Sequence, residues 1–486
     1  MGFPSFDLGI PPPTATTVRP RQWQSRLIQL LRARLLNHQP GGHDVLIHAG
    51  PGAGKTLGAL LSFLSLQREG RLDRFVIFCH RSSIARQWLG AAERLNLRLM
   101  EWNPEQGLSA LEANSNWDGL LLSYQCTARH RLALAAVLPR ITLESWLAIA
   151  DEVHHLGLDP DEPEAAAWGF AFSQLTATAQ LRLGLTGTPF RADNLAFCAA
   201  RRVKVREGGE VIERIAPDLS VEPRQLILAG DVRPLEFRFQ DGWVEHGRPQ
   251  ASADTETSPL SAEVRESWRA RNLRRAIQLG DTSSIALRLL LKARQRLERV
   301  RTSHPEAGGL VIARDIAHAR RIAGLLEEEG DRVHLVHSQD PEASARLAAF
   351  QSGEADWLVS IDMCAEGFDA PRLRVVAYLT TVVTRSRFVQ AITRAVRMDG
   401  QRAAIETVPR HPSYVFAPAD PLLMSYARSW SITEPYLIKP KQVAPEADAH
   451  GSAQGGSLPL QAVEARIGAV ISMGGPELPI FLQKMS

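Results

Sequence analysis

A lysine and a threonine stand side by side behind three alternating glycines in the stretch Gly50-Pro51-Gly52-Ala53-Gly54-Lys55-Thr56. Glycines let successive backbone N–H groups turn toward one centre and approach a triphosphate closely. Gly50, Gly52, Ala53 and Gly54 would form that cradle. Lys55 would reach the β- and γ-phosphates, and the Thr56 hydroxyl would hold Mg²⁺. Further along, Asp151 and Glu152 are adjacent acids behind the apolar run Trp146–Ala150. One such acid can hold Mg²⁺ through its water shell, and the other can polarise an attacking water as general base. Near the end of the chain come Gln390, Arg394 and Arg397, four and three residues apart, which share one face if the segment is helical. Two guanidinium groups on one face can meet a γ-phosphate across a cleft. The chemistry in view is hydrolysis of a nucleoside triphosphate, with Mg²⁺ as its cation.

These residues need elements that bring them together. Asp44–His48 is a short apolar run with β-branched Val45 and Ile47, which predicts a buried strand. The glycine loop follows it at once, and Leu57–Leu66 then reads as a helix. A helix starting near Lys55 adds unpaired N–H groups and the positive end of its dipole. Arg74–Cys79, Leu120–Gln125, Trp146–Glu152 and the run before Thr186 read as further strands of the same sheet. Polar residues just beyond two of those strands, Arg81 and then Ser123, Tyr124 and Gln125, sit where open α/β sheets bind ligands, and they are candidate phosphate contacts to a nucleic acid.

A second α/β unit starts at Gly309. Strands over Leu310–Ala313, Arg332–Val336, Trp357–Ile361 and Arg374–Leu379 alternate with helices over Ile316–Leu326, Ser344–Phe350 and Phe388–Val396. That alternation predicts a largely parallel sheet. Between the units, Leu226–Phe239 reads as a strand pair around Asp231 and Pro234. Glu263–Arg301 reads as basic helices, either a solvated face or a phosphate track. The expected division is an extended segment over 1–18, a first domain over 19–215, a linker with basic helices over 216–300, a second domain over 301–425 and a C-terminal extension over 426–486. Within that extension, 441–458 has linker composition and Leu460–Met473 reads as a short docking helix.

The ordered motifs narrow the reading. The loop departs from G-x-x-x-x-G-K-[ST], because Ala49 stands where the first glycine belongs. The form A-x-x-G-x-G-K-T, followed by D-E-V-H at Asp151–His154, T-G-T-P at Thr186–Pro189, E-G-F-D at Glu366–Asp369 and Q-x-x-x-R-x-x-R at Gln390–Arg397, resembles superfamily 2 DExH helicases and translocases. It looks most like the branch containing type III restriction motor subunits and XPB-type DNA repair helicases. The resemblance covers residues 19–420 and implies an α/β fold of two tandem RecA-like domains with mostly parallel sheets and ATP in the cleft between them. It implies that His154, Thr186, Thr188 and Gln390 couple hydrolysis to domain movement, and that Gly367 and Asp369 approach the ribose. It further implies that a glutamine ahead of the loop, Gln24 in preference to Gln22, reads adenine. Thr393 stands where the last motif usually has glycine, and His155 has no role in the family pattern. Nucleic acid, DNA in preference to RNA, is expected across the top of both domains. A nuclease or other defence or repair subunit is an expected partner, because no nuclease motif is evident. The other readings are a motor that never separates strands, an RNA helicase, and a nucleotide-gated binding module.

Composition sets the outer bounds. A chain of 486 residues is long enough for two or three domains. A formal net charge of +3 confines any nucleic-acid surface to local patches. The four cysteines, Cys79, Cys126, Cys198 and Cys364, form no C-x-x-C pair and read as reduced thiols. No uninterrupted apolar run approaches the about 20 residues of a membrane span. The first residues lack a basic start followed by an apolar core, so a cytoplasmic address is expected.

Overall fold

The computed structural model describes residues 19–36, 43–50, 52–80, 82–107, 116–142, 145–156, 165–187, 201–207, 210–246, 256–263, 265–280, 284–361, 369–430 and 469–474. The N-terminal half builds β1 (Asp44–Ala49), β2 (Arg74–Cys79), β3 (Leu99–Glu101), β4 (Gly119–Ser123), β5 (Trp146–Asp151) and β6 (Leu181–Thr186). A hairpin, β7 (Arg201–Glu207) with β8 (Glu210–Ala216), and the short β9 (Leu219–Val221) follow. Seven strands form one sheet in the order β3-β4-β2-β5-β6-β1-β9, and each of its pairings is parallel.

Parallel sheets are covered on both faces, which is why their strands are apolar without a polar side. Alternate residues point to opposite faces. Val45, Ile47, Phe75 and Ile77 join one apolar cluster, with helices α1 (Gln22–Leu36), α2 (Lys55–Arg68) and α3 (Ser82–Arg94). Leu46, Val76, Phe78 and Ala148 join a second cluster on the opposite face. The consequence for the site is the strand order itself. β5, β6 and β1 are neighbours, so the loop after β1, the acids after β5 and Thr186-Gly187 after β6 emerge at one edge of the sheet. The register pairs His48 with Thr186 and Asp151 with Leu185.

The second sheet contains β10 (Leu235–Gln240), β13 (Gly308–Ala313), β14 (Val333–Val336), β15 (Trp357–Ile361), β16 (Leu373–Leu379), β17 (Ser413–Pro418) and β18 (Ala469–Gly474). A separate hairpin pairs β11 (Trp243–His246) with β12 (Glu256–Pro259). The sheet order is β14-β15-β13-β16-β17-β10-β18, again parallel. No helix among the described residues is long and apolar enough to cross a membrane.

Several sequence expectations change here. The stretch Leu226–Phe239 is not a strand pair: a helix over Pro223–Leu228 precedes β10. Pro223 takes the first turn of that helix, where its missing N–H costs nothing. The second unit begins at β10 and not at residue 301, because Leu235–Gln240 pairs in parallel with β17. β9 extends the first unit past residue 215 by pairing with β1. The crossing between sheets therefore shrinks from 216–300 to 222–234. The basic stretch belongs to the second unit as two helices, Glu266–Ala276 and Ile285–Arg301. Several of its arginines have internal partners: Arg269 with Asp420, Arg294 with Asp331, and Arg301 with Asp356. The expected helix over Leu460–Met473 is a strand where it is described, Ala469–Gly474, lying along β10.

Candidate active site

The phosphate loop leaves β1 at Ala49, which is fully buried and paired with Val221 of β9. The missing first glycine is thus a strand position, where a methyl group packs without strain. The two glycines that matter for conformation are Gly52 and Gly54, at φ +79° and +82°, in the left-handed region that side chains disfavour. Three neighbouring side chains take the loop's carbonyls from outside. Arg21 Nη1 donates to Gly52 O at 2.7 Å, Trp23 Nε1 to Ala53 O at 3.0 Å, and Gln24 Nε2 to Gly54 O at 3.0 Å. In a trans peptide the N–H opposes the C=O, so fastening these carbonyls turns the N–H groups of Gly54 and Lys55 away from α1.

This arrangement corrects one expectation. Gln24 has no exposed surface, and its amide is engaged at both ends, because its Oε1 accepts from Arg21 N at 2.8 Å. It braces the loop and presents no amide to a base. Gln22, at the start of α1, is exposed.

Lys55 opens α2, and its Nζ donates to Glu152 Oε1 at 3.0 Å. Glu152 Oε2 accepts from Gly187 N at 3.3 Å. Glu152 itself lies at φ +49°, an uncommon conformation for a residue with a side chain. Such outliers concentrate at functional sites because surrounding contacts must hold them. Asp151 is held harder. Its Oδ2 accepts from Trp88 Nε1 at 2.8 Å and its Oδ1 from Glu152 N at 3.0 Å, while Tyr124 OH donates to its main-chain oxygen at 2.8 Å. Burial first, and then the charge of Glu152, push the Asp151 carboxyl up to about 6, against the opposing pull of Lys55 and Trp88. His48, one residue before Ala49, is pushed down to about 4 by burial and by Lys55. It adds no positive charge at neutral pH, and its Nδ1 lies 3.1 Å from Ser220 Oγ.

The second unit faces these groups across a cavity of about 310 Å³. Gly50, Gly52, Gly54, Lys55, Thr56, Asp151 and Glu152 line one side, and Asp369, Gln390, Arg394 and Arg397 line the other. Arg397 Nη1 pairs with Asp369 Oδ1 at 3.0 Å, and Arg394 is buried. The expected helix over Phe388–Val396 is shorter than its pattern suggests. An α-helix over Arg385–Ile392 tightens into a 3₁₀ turn over Thr393–Val396, and Arg397 lies beyond it with extended backbone. The single-face argument for residues 390, 394 and 397 therefore fails, although all three reach the cavity. Thr393 contributes to the break, since its hydroxyl donates back to Val389 O at 2.6 Å and so competes with the regular helix ladder.

The candidate nucleic-acid contacts separate. Ser123 and Gln125 line a groove of about 730 Å³ beyond β2 and β4, with Trp102, Asn103 and Cys126. Ser123 Oγ also accepts from Cys126 N, as the cap of the short helix that follows. Tyr124 does not face this groove. It has no exposed surface and serves Asp151, a role that its place beside a strand end did not reveal. Thr186 is fully buried at the end of β6, and His154 falls in the turn Val153–Leu156. Arg81, Thr188 and Gly367 lie outside the described residues. Trp88 and the stacked rings of His80 and His155, with centroids 4.2 Å apart, are site neighbours that no motif announced. Arg21 and Trp23 had a usable signal, since both flank Gln22 in R-P-R-Q-W-Q.

The donor set fits a magnesium nucleotide. The glycine cradle admits phosphate oxygens, and burial together with the neighbouring charge of Glu152 drives the Asp151 carboxyl toward its neutral form. A divalent cation would relieve that repulsion. Among the described residues, no three His, Cys, Asp or Glu side chains form a metal cage of their own.

Residues 17–191 match the family described as type III restriction enzyme, res subunit, and residues 292–399 match the helicase conserved C-terminal domain. An uncharacterized protein of Mycobacterium tuberculosis strain H37Rv is 30% identical over 439 residues, which cover 88% of this chain and 66% of that one. The chain thus spans just under two thirds of that relative's length. Among solved structures, a fragment of an HsdR subunit of a type I restriction enzyme from Vibrio vulnificus aligns with a TM-score of 0.54 at 17% identity, over 86% of this chain and 67% of that one. The helicase Lhr of Mycobacterium smegmatis aligns at 0.51 and 15% identity, over 87% and 49%. At these identities the two structures support the fold, tandem RecA-like domains. With both family matches in this order on one chain, the protein carries the paired domains of a superfamily 2 helicase, the first of them similar to that of restriction motors.

Proposed function

We propose that this superfamily 2 protein is an ATP-driven motor that couples hydrolysis to movement along nucleic acid, with DNA as the favoured track, in the cytoplasm. The observation that carries the reading is one cavity lined by Lys55, Thr56, Asp151 and Glu152 from the first unit and by Asp369, Arg394 and Arg397 from the second. A site shared by two bodies is sensitive to their separation. A triphosphate that contacts both sides favours the closed arrangement by its differential contacts, and loss of its γ-phosphate removes them.

The chain's own ion pairs suggest how the site is set. Lys55 rests on Glu152, and Arg397 rests on Asp369. A bound triphosphate offers Lys55 a stronger acceptor. Glu152 is then released to take a proton from the attacking water. Likewise Arg397 turns from Asp369 toward the developing charge, which leaves Asp369 for the ribose. Thr56 and Asp151 would hold Mg²⁺, which neutralises phosphate charge when bound. Trp88 and Tyr124 keep Asp151 in place throughout.

Steady-state ATPase of the chain, alone and with single-stranded DNA, duplex DNA or single-stranded RNA, tests the reading beside Glu152→Gln. Stimulation by one polymer that is lost in the mutant supports a nucleic-acid motor and names its track. Hydrolysis indifferent to every polymer contradicts the motor and favours an ATPase driven by a protein partner. A second reading, a motor subunit that translocates without unwinding inside a defence or repair complex, draws on the likeness to restriction subunits. Triplex displacement without strand displacement would favour it.

A further inference from the structure

Among the described residues the chain crosses from one sheet to the other once, over 222–234, and the last residues of that stretch touch both halves of the site in succession. Asp231 pairs with Arg21, with its Oδ1 3.4 Å from Arg21 Nε, and its main-chain oxygen accepts from Arg21 Nη2 at 3.2 Å. The same guanidinium donates from Nη1 to Gly52 O of the phosphate loop. Val232 is buried against that loop. A side-chain carbon placed on Gly52 would lie 3.2 Å from Val232 Cγ1 and 3.3 Å from Val396 Cγ2. Arg233 then turns to the other unit. Its N–H donates to Val396 O at 2.9 Å, next to Arg397. Its side chain, 1% exposed, grips both oxygens of Glu406 at 2.5 and 2.6 Å and donates to His411 O at 3.1 Å. Burial alone would raise the Glu406 carboxyl, yet the grip of Arg233 holds it down to about 2.

We propose that Asp231, Val232 and Arg233 act as a positioning strap that fixes the segment carrying Arg394 and Arg397 relative to the phosphate loop. The proposal rests on the ATPase reading above and goes beyond it, because none of the three residues belongs to a helicase motif read from the sequence. Three residues of backbone span at most about 10 Å, too short to absorb a shift at either end. Displacement of Gly52 on binding phosphate is therefore passed through Val232 and the Arg233 N–H to the turn over Thr393–Val396. A side-chain carbon placed on Gly52 would also lie 3.6 Å from Arg397 Cγ, so the loop meets that segment directly as well, and the strap holds the contact in register.

The bland alternative is that these contacts only stabilise the fold, and Asp231→Asn separates the two. It keeps the shape and the main-chain acceptor, and it removes the charge that Arg21 meets on a partly exposed group. The expected result is about a tenfold loss of kcat, the cost of a small misplacement, with the affinity for a fluorescent ATP analogue unchanged. Combined with Arg397→Ala, it should cost nothing further, because both changes act on the same step. Amide exchange over residues 393–398 should quicken about tenfold in the variant. Val232→Ala should show the same three signs.

Multiplying losses in the double variant, or unchanged exchange over 393–398, would overturn the strap. A wild-type chain that hydrolyses no ATP under any condition would contradict the proposed function instead. The exchange measurement would still decide the strap in that case.

Discussion

The two sides of the nucleotide cavity are built differently. On the first side, Lys55, Asp151, Glu152 and Gly187 follow directly from three adjacent strands, β1, β5 and β6, whose order in the sheet sets their separation. Each is tied again from behind, by Trp23 and Gln24 at the loop, by Trp88 and Tyr124 at Asp151, and by Gly187 at Glu152. On the second side, Arg394 sits in a 3₁₀ turn, and Arg397 and Asp369 lie in irregular backbone. That side is located by a turn whose Ala395 and Val396 pack into the core, by the ion pair of Arg397 with Asp369, by Gln351 at the Asp369 carbonyl and by the crossing segment. A rigid half that binds and a half that must be positioned are what a nucleotide-driven closure requires.

The contrast predicts a graded series of effects. Lys55→Ala should abolish both tight ATP binding and turnover, since it strips the rigid half of its phosphate contact. Arg397→Ala should lower kcat about 10³-fold, the scale of an arginine finger, and leave binding largely intact. Glu152→Gln should lower kcat about 10²- to 10³-fold, the worth of a general base, again with ATP bound. Equal losses of binding in all three would erase the division of labour.

A smaller effect should appear in the pH profile. With the Asp151 carboxyl raised to about 6 in the metal-free site, Mg²⁺ affinity should fall as pH drops through that value, because protonation removes the charge that would face the cation. The sign for stability is opposite: a carboxyl raised in the folded state stabilises it below the unfolded pKa, and that contribution is lost as pH rises through about 6. Trp88→Phe removes the donor to Oδ2, which should push Asp151 higher still and move the acid limb upward. An unmoved limb would show that another group controls it. The smallest expected effect is that of Tyr124→Phe, about 1 kcal/mol of stability from one lost hydrogen bond, read by denaturant melting.

The same division marks how far the sequence could be read. The rigid half was legible because its chemistry is local: a strand, a glycine loop and a helix start in one short stretch, and an acid pair at the end of an apolar run. Strand order was not visible in the residues themselves, yet parallel α/β pairing left few ways to place Asp151 beside Lys55. The positioned half was legible as residue types only. Arg394 and Arg397 were found by spacing, but that spacing assumed a continuous helix, which the Thr393 hydroxyl helps to end. Gln24 and Tyr124 were misread for one reason. A polar side chain beside a motif looks the same in sequence whether it faces ligand or its own backbone, and here both face backbone. The crossing segment was missed because Asp231, Val232 and Arg233 are ordinary residues whose partners lie far along the chain.

The central claim is that one nucleotide engages both halves, the first to bind and the second to complete hydrolysis. Its most direct test is to measure ATP affinity and kcat together on Arg397→Ala and Lys55→Ala against the wild-type chain. The account predicts that Arg397→Ala binds ATP within about threefold of wild type while kcat falls about 10³-fold, and that Lys55→Ala loses both. Wild-type kcat in Arg397→Ala would contradict it, since the second sheet would then stand outside the reaction.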